Sequence, residues 1–449
     1  MTATITALSA DYASGRSDPV AVLEACMGQI GADQQHADSV FTRLTGQRAQ
    51  RAARESAARW REGRPLGALD GIPLVWKDVF DMAGEITTCG SASRQDARPA
   101  RQDAELVRQL ESCGVVSVGR TTLSEFAYSG LGINPVAGTP ENPWDASTRR
   151  IVGGSSSGSA AAVARGWVPC GMGSDTSGSI RVPAALLGLV GFKPSSGRYP
   201  SQGMFPLAPS LDVAGPLVRS VADAQLLDCA ITGASARPSR LHDWTFVVPS
   251  GRALASQTAQ VQATFHAVLG MLGRAGVTVV ERSFAPFEQT RALFDQHGTL
   301  VAVEAADVHR ALLQSERLAL VDPRIAQRMQ LGAQISAQAA AVLKTRRAEM
   351  IATSRAHLPP GEVLLYPTVC MTAPEIAPLE GDAGLFAQCN AQILQNTMLS
   401  SYLDMPTLSL PAGLASDGLP VGVSLSLPCG LDAQLLGIGA SLQSMLRTD

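Results

Sequence analysis

The order of apolar and polar positions along the 449-residue chain predicts helices first. Residues 18–62 are predicted to be helical, because Pro19 suits the first turn of a helix and apolar side chains recur at Val20 and Leu23. An Ala- and Arg-rich stretch over 47–61 continues the same pattern. The chain is therefore expected to open with helices.

Short apolar runs further along the chain predict strands. A helical pattern over 103–113 separates two of these runs. Such alternation is typical of α/β layering, in which helices cover a sheet. The predicted strands occupy residues 72–75, 115–118, 168–171, 244–248 and 277–280.

Two longer segments differ from the rest of the chain in composition or in helical pattern. Residues 155–198 are rich in Gly and Ser but stay apolar between them, unlike a flexible linker, so the glycines suit tight turns inside a core. Residues 251–357 are mainly helical in pattern, with a strong helix-forming stretch over 333–347. Length alone allows either one large α/β unit or two or three domains.

Composition excludes several classes of protein. With 45% hydrophobic and 17% charged residues, the chain has the balance of a soluble globular protein. Its net charge is -3, and no basic run alternates with aromatic residues, so nucleic acid is not expected as a ligand. The N-terminus lacks a basic segment followed by an apolar one, and no window is apolar enough for a membrane span. We expect a cytoplasmic protein without a membrane partner.

The spacing of the cysteines and the small number of lysines indicate which kinds of site the chain can contain. The eight cysteines form no C-x-x-C pair, which argues against a zinc site and against a disulfide scaffold. Without a metal cluster or a dinucleotide fingerprint, no metal and no cofactor are expected. Only three of the 36 basic residues are lysines: Lys77, Lys193 and Lys344. Since Arg cannot lose its proton, a Lys in such a chain can mark a site that needs a neutral amine.

The Gly- and Ser-rich stretch 153–159 admits three interpretations. A phosphate-binding loop is excluded, because Ser159 stands where that loop requires Lys. A nucleophile elbow with Ser156 at its centre would need Asp and His downstream, and no His lies in a distinctive context. The third interpretation depends on a second cluster, over 173–183, which contains Ser179.

These two clusters, together with Gly-Ile-Pro-Leu-Val-Trp-Lys-Asp at 71–78, resemble the amidase signature family in order, content and spacing. Three separated motifs in register are far more specific than a single G-x-S-x-G. Weaker similarities extend over most of the chain, at 124–127, 142–144, 191–194, 366–368, 373–374, 410–413 and 418–422.

The resemblance implies an α/β fold in which helices cover both faces of a mixed central β-sheet. It also implies a single domain over 1–449. Within that domain we expect four parts, namely N-terminal helices at about 1–62, a signature core at about 67–220, a helix-rich variable region at about 251–357 and a C-terminal segment at about 361–449.

The resemblance further implies a catalytic triad of Lys77, Ser155 and Ser179, with a cis peptide bond between Gly154 and Ser155. A serine hydroxyl is a poor nucleophile until a base removes its proton, and without a suitable His that base must be a neutral amine. Burial among apolar neighbours would lower the pKa of Lys77. Ser155 would relay the proton, since a hydroxyl both donates and accepts.

Residues around Ser179 are expected to support this chemistry. Ser156, Asp175 and Arg181 would hold the turn rigid from behind, and the rival amine, Lys193, is expected to be structural. Small residues allow several backbone N–H groups to converge on one oxygen. The expected oxyanion hole consists of the amides of Thr176, Ser177, Gly178 and Ser179.

The substrate cleft is expected to involve Trp76, as a wall near the acyl group, and Tyr128, Ser129 and Gly130. Apolar residues near the motifs favour an uncharged amide, or a carbamate or aryl ester, with an apolar group beside the carbonyl. These flanking residues are Trp76, Phe126, Tyr128, Met204 and Phe205.

The leading hypothesis is thus an amidohydrolase that cleaves C–N bonds of small molecules through an acyl-enzyme on Ser179. One alternative is the glutamine-hydrolysing subunit of a glutamine-dependent tRNA amidotransferase, which needs a partner protein. Another is a urethanase, that is, a carbamate hydrolase. A non-catalytic binding protein on the same scaffold is disfavoured, because all three triad residues are present. A homodimer is compatible with the family.

Overall fold

The computed structural model describes residues 3–254 and 256–447, and a single eleven-stranded sheet runs through them. The strands are β1 (Phe41–Leu44), β2 (Pro73–Lys77), β3 (Val116–Thr121), β4 (Cys170–Asp175), β5 (Val190–Lys193), β6 (Val213–Val218), β7 (Thr245–Ser250), β8 (Thr278–Ser283), β9 (Glu362–Pro367), β10 (Thr407–Leu414) and β11 (Pro420–Ser426).

The sheet is mixed, with the strand order β1-β3-β2-β4-β6-β5-β10-β11-β9-β7-β8. β2 is parallel to both of its neighbours, β3 and β4. β7 is likewise parallel to β8 and β9, whereas the strands between these two groups pair antiparallel. Each of the five strands predicted from apolar runs is present, as β2, β3, β4, β7 and β8, with both ends displaced toward the carboxyl side.

The α-helices are α1 (Ile5–Ala13), α2 (Pro19–Ala32), α3 (Gln34–Val40), α4 (Gly46–Arg61), α5 (Glu105–Ser112), α6 (Ser157–Ala164), α7 (Arg181–Leu187), α8 (Val221–Thr232), α9 (Ala259–Arg274), α10 (Ala285–His297), α11 (Leu300–Val308), α12 (Arg310–Leu313), α13 (Pro323–Ala333), α14 (Ala337–His357), α15 (Ile376–Gly381), α16 (Ala383–Leu394), α17 (Thr397–Tyr402) and α18 (Asp432–Leu446). Short 3-10 helices occupy Ala92–Arg94, Glu125–Ala127, Leu241–Asp243, Arg252–Leu254 and Glu316–Leu320.

Helices cover both faces of the sheet, as β2 illustrates. Successive strand residues point to opposite faces. Leu74 and Trp76 pack into one hydrophobic cluster with residues of α5 and α8, whereas Val75 packs into another with residues of α6 and α7. The α/β fold with a mixed, doubly covered sheet is therefore confirmed. Lys77 follows the alternation of Val75 and lies on the side of α6 and α7.

The N-terminal segment differs from the uninterrupted helix predicted over 18–62. Three helices are present, and β1 separates α3 from α4. The physical reason is pairing across the sheet: Phe41 and Leu44 lie in antiparallel register with β3 at the edge of the sheet. The predicted helix start is correct, because Asp18 caps α2 with Pro19 in its first turn.

The helical prediction over 251–357 is confirmed by α9 to α14, but the helix predicted over 333–347 is divided. α13 ends at Ala333, and Ser336 caps α14 by accepting a hydrogen bond from the amide of Ala339 at 3.1 Å. This serine side chain provides a start signal inside a strongly helix-forming sequence. Among residues 3–254 and 256–447, no helix has the length and apolar character needed to cross a membrane.

Candidate active site

The candidate residues lie where two neighbouring parallel strands end, along the side of the sheet formed by the carboxyl ends of these strands. Lys77 is the last residue of β2, and Asp175 is the last residue of the neighbouring β4. The carboxyl ends of parallel neighbours lie together, at the position where open α/β sheets bind ligands. α6 begins directly after Ser156 and α7 directly after Ile180, so the motif loops that precede these helices meet at the same edge.

Lys77 is fully buried, and its amine touches two serines. Nζ donates to Ser155 Oγ at 2.7 Å and to Ser174 Oγ at 2.8 Å. Burial lowers the pKa of Lys77 to about 7, against the opposing influence of the Asp175 and Asp212 carboxylates. The amine can therefore lose its proton near neutral pH.

Ser155 and Ser179 belong to segments that lie side by side. The peptide bond between Gly154 and Ser155 is cis. The Ser156 amide donates to the Ser179 carbonyl at 3.1 Å, which ties the two segments together. Ser179 is 4% exposed, and in the described part of the chain its hydroxyl has no hydrogen-bond partner, Ser155 included. Its oxygen is thus left free to react.

The turn before Ser179 is built around a buried ion pair. Arg181 donates through Nε to Asp175 Oδ2 at 3.0 Å and through Nη2 to Oδ1 at 2.9 Å. Although burial opposes ionisation, the Arg181 guanidinium holds the pKa of Asp175 below its usual value. Arg181 also donates to Ser400 Oγ at 2.7 Å and to Ser401 Oγ at 2.6 Å, which fastens the turn to α17. The pairing expected between Asp175 and Arg181 is present.

The four amides expected to form an oxyanion hole are not equivalent. The Gly178 amide donates to Asp175 Oδ1 at 2.7 Å, so it is not available to bind an oxyanion. Across residues 3–254 and 256–447, the amides of Thr176, Ser177 and Ser179 have no backbone or side-chain acceptor. This differs from the expected convergence of all four amides and leaves three of them available.

The remaining candidates divide into those near the site and those away from it. The Ser156 hydroxyl is buried and donates to the Ser174 carbonyl at 3.2 Å, as expected of a supporting residue rather than a nucleophile. Lys193 is buried and donates to the Pro194 carbonyl at 2.8 Å. Trp76 points to the face opposite Lys77, where its indole donates to Ser117 Oγ at 3.0 Å. The structure therefore places Trp76 in the core rather than on a wall of the cleft.

Of the other predicted cleft residues, Tyr128 reaches a cavity of about 400 Å³ that extends to Ser177, and Ser129 and Gly130 contact Asn390, which also lines that cavity. The Ser129 hydroxyl and the Gly130 amide both donate to Asn390 Oδ1, at 3.0 and 2.8 Å. Tyr128, Ser129 and Gly130 are thus brought together beside the turn that carries Ser179.

Two residues of the site are not among those selected from the sequence. Ser174 contacts Lys77 and lies inside the 173–183 cluster, so the motif itself could have pointed to it. Asp212 accepts from Thr176 Oγ1 at 2.5 Å and from the Leu207 amide at 2.8 Å. Burial raises the pKa of Asp212 to about 6. No local pattern distinguishes Asp212, because its role depends on a long-range contact.

Metal-ligating side chains do not gather at this site. In the described ranges, no group of three or more His, Cys, Asp or Glu residues has the geometry to hold a metal ion. The groups that the site brings together include the amine of Lys77 and the hydroxyls of Ser155 and Ser174.

Comparison with known proteins yields related sequences and structures. The family model described as Amidase matches residues 21–436. The 2-amino-5-chloromuconic acid deaminase of Comamonas testosteroni is 31% identical, over 90% of this chain and 88% of its own. One subunit of the glutamyl-tRNA(Gln) amidotransferase of Salinispora tropica is 33% identical, over 92% of this chain and 91% of its own. A crystal structure of an amidase aligns with a TM-score of 0.88 at 29% identity, covering 98% of this chain and 99% of that one.

Proposed function

The chain belongs to the amidase family, and on that premise we propose that it hydrolyses the C–N bond of a small-molecule amide through an acyl-enzyme on Ser179. One observation carries the proposal: the buried amine of Lys77 lies 2.7 Å from Ser155 Oγ, at the edge of the sheet where the Ser179 turn also lies. Lys77 is the base, Ser155 the proton relay and Ser179 the nucleophile.

The reaction proceeds in two halves. Neutral Lys77 takes the proton of Ser155, which takes that of Ser179 as Ser179 Oγ attacks the amide carbonyl. The negative oxygen that forms is stabilised by the free amides of Thr176, Ser177 and Ser179. The C–N bond then breaks, the leaving nitrogen receives the relayed proton, and water hydrolyses the resulting ester to a carboxylic acid.

The pH dependence follows from the base. Since burial lowers the pKa of Lys77 to about 7, the competent neutral amine is lost as pH falls through that value. We expect kcat/KM to rise about tenfold per pH unit below about pH 7 and to level off in the alkaline range. Steady-state kinetics from acid to alkaline pH measure this. A rate that peaked below neutrality and declined above it would contradict a neutral-amine base.

The second candidate function is glutamine hydrolysis within a tRNA amidotransferase, which is favoured by the relative that shares 33% identity over 92% of this chain. In that case the substrate would be glutamine, and ammonia would pass to a partner protein. The two functions differ in whether the chain acts alone.

A substrate panel separates these functions. We expect the isolated chain to hydrolyse small amides, because the amidohydrolase reaction needs no partner. Glutamine is expected to be turned over slowly, because burying its zwitterionic head without convergent charged partners is costly. An anilide, an aryl carbamate, an aryl ester and glutamine are compared by kcat/KM under one condition, with Ser179→Ala as the blank. Efficient turnover of glutamine, with no turnover of the other substrates, would indicate that the chain is an amidotransferase subunit. A preference for the carbamate would favour the urethanase.

A further inference from the structure

Asp212 lies beside the turn that carries Ser179, because the pairing of two strands brings it there. β4 and β6 are antiparallel, and Val213 at the start of β6 is in register with Asp175 at the end of β4. The residue before Val213 therefore faces the residue after Asp175. These residues are Asp212 and Thr176, and Thr176 Oγ1 donates to Asp212 Oδ1 at 2.5 Å. Thr176 also supplies one of the amides that are free in the described part of the chain.

Separate contacts hold successive residues of this turn. The Gly178 amide donates to Asp175 Oδ1 at 2.7 Å. The Ser177 carbonyl accepts from Thr397 Oγ1, on α17, at 2.5 Å. The first residue of the turn, Thr176, is held through its hydroxyl. Because each contact holds a different residue, loss of the one at Thr176 would loosen the start of the turn and the amide there.

The Asp212 carboxylate is itself fixed by its own loop. Oδ2 accepts from the amides of Leu207 and Ala208, at 2.8 and 3.0 Å. The loop is bonded in turn to α11, where the Glu304 carboxylate accepts from the amide and the hydroxyl of Ser210, at 2.9 and 2.7 Å. With both oxygens engaged, the carboxylate of Asp212 cannot rotate without breaking a hydrogen bond. It therefore offers the turn an acceptor in a fixed place.

We propose that Asp212 is a positioning residue for the hydrolytic reaction: through the Thr176 hydroxyl it fixes the start of the oxyanion-binding turn, and with it the free amides of that turn. An oxyanion donor is effective only when its N–H is already directed at the place where the negative oxygen forms. This alignment acts in the transition state more than in the ground state, so it affects kcat rather than KM. The inference rests on the proposed function, to which it adds a residue outside the triad.

The charge of Asp212 provides a second signature. Burial raises the pKa of Asp212 to about 6, against the opposing influence of its hydrogen-bond donors and of the Lys77 charge. The Asp212 carboxylate in turn opposes the lowering of the Lys77 pKa by burial. With an uncharged residue at position 212, the pKa of Lys77 is therefore expected to fall further, so that the neutral amine persists to lower pH. Further charged or titratable groups near the pair stay the same in such a variant, namely Asp175, Arg181, Lys193, Cys89 and Glu304.

Substitutions at positions 176 and 212 separate geometry from charge. Thr176→Val keeps the shape of the side chain without the hydroxyl, so kcat is expected to fall by on the order of 10- to 100-fold, with KM within about twofold. Thr176→Ser keeps the hydroxyl and is expected to lose less. Asp212→Asn can still accept from the loop amides and can donate to the Thr176 hydroxyl, so its kcat on the alkaline plateau is expected to fall less than that of Thr176→Val. The acid limb of its kcat/KM profile is expected to move to lower pH by on the order of one pH unit.

A double-mutant cycle tests whether Asp212 acts through Thr176. Asp212→Ala is expected to lower kcat as Thr176→Val does, and the double variant is expected to lose no more than the more damaged single variant. Losses that multiply would overturn the inference. Thermal unfolding shows which variants are folded. If Asp212→Ala is not folded, the kinetics of the Thr176 variants and the pH profile of Asp212→Asn decide the question.

A matched pair elsewhere in the chain provides the control. Asp417 Oδ2 accepts from Thr372 Oγ1 at 2.8 Å, and Oδ1 accepts from the Leu419 amide at 3.1 Å, so the bonding pattern is similar but the carboxylate is exposed. Thr372→Val and Asp417→Asn are expected to leave kcat and the pH profile unchanged. If the variants at positions 176 and 212 behave like these controls while Ser179→Ala is inactive, the inference is overturned and the hydrolytic function remains.

Labelling of Ser179 measures the same effects without an amide substrate. The rate at which a sulfonyl fluoride modifies Ser179 depends on the neutral amine and on donors to the sulfonyl oxygen. We expect Thr176→Val to slow labelling by about 10-fold or more, and Asp212→Asn to shift the acid limb of labelling to lower pH. If the variants label in this way but the wild type hydrolyses no amide, the proposed function fails and the inference stands. Labelling rates that match the wild type at every pH overturn the inference.

Discussion

Ser179→Ala is expected to abolish turnover, with a loss in kcat on the order of 10³- to 10⁶-fold, because the covalent route disappears while the binding groups remain. The fold is expected to survive. The Ser179 side chain has no hydrogen-bond partner in the described structure, so removing its oxygen leaves no buried group unsatisfied. Steady-state kinetics measure the loss, and thermal unfolding checks the fold.

Adduct mapping tests the same assignment in the unaltered enzyme. A sulfonyl fluoride or a slow ester is expected to modify the peptide that contains Ser179, as detected by mass spectrometry. The matched control for the substitution is Ser112→Ala, an exposed serine at the end of α5 whose hydroxyl donates to the Gln109 carbonyl at 2.6 Å. An adduct on Ser156, or a Ser179→Ala enzyme that retained most of its activity, would favour the nucleophile elbow instead.

The strands that carry the site could be predicted from sequence, because their burial leaves a strong pattern. Every residue of β2 and β4 is buried, and strands buried on both faces have nearly continuous apolar runs. The motifs follow these strands or open the next helix, so their spacing also locates Lys77, Ser155 and Ser179. What the pattern cannot supply is geometry. That the Gly178 amide is taken by the Asp175 carboxylate depends on a side-chain conformation within the turn.

The rest of the site could not be predicted, because it is assembled by long-range packing. Asp212 accepts a hydrogen bond from Thr176, 36 residues away along the chain, and nothing in the local sequence marks it. Asn390 is defined by contacts with Ser129 and Gly130, far away along the chain. The helix predicted across residues 41–44 is wrong for the same reason, because these residues form β1, and pairing with β3 overrides their helical pattern.

Lys77→Arg is expected to be nearly as damaging as Lys77→Ala, with losses in kcat on the order of 10²- to 10⁴-fold, the usual contribution of a general base. Arg keeps the positive charge and can still donate to Ser155, but it cannot accept a proton at any working pH. The comparison therefore separates a base from a merely electrostatic cation. If charge alone mattered, Arg would preserve activity and Ala would not.

The pH profile of Lys77→Arg makes this test sharper than a single rate. A variant whose side chain could still lose its proton would regain activity as the pH rises. A guanidinium instead stays charged throughout the alkaline range. The residual rate of Lys77→Arg is therefore not expected to show the rise near pH 7 that the pKa of Lys77 predicts. Because a larger side chain enters a fully buried site, thermal unfolding and labelling of Ser179 must show that the variant is folded.

The other two lysines provide the controls. Lys344→Arg changes an exposed residue of α14 and is expected to leave the kinetics unaltered. Lys193→Arg alters a buried amine that donates to the Pro194 carbonyl, a role that a guanidinium can retain, so a milder loss of activity is expected. A Lys77→Arg enzyme with most of its activity, or a Lys193→Arg enzyme that is folded but equally inactive, would remove Lys77 from the role of base.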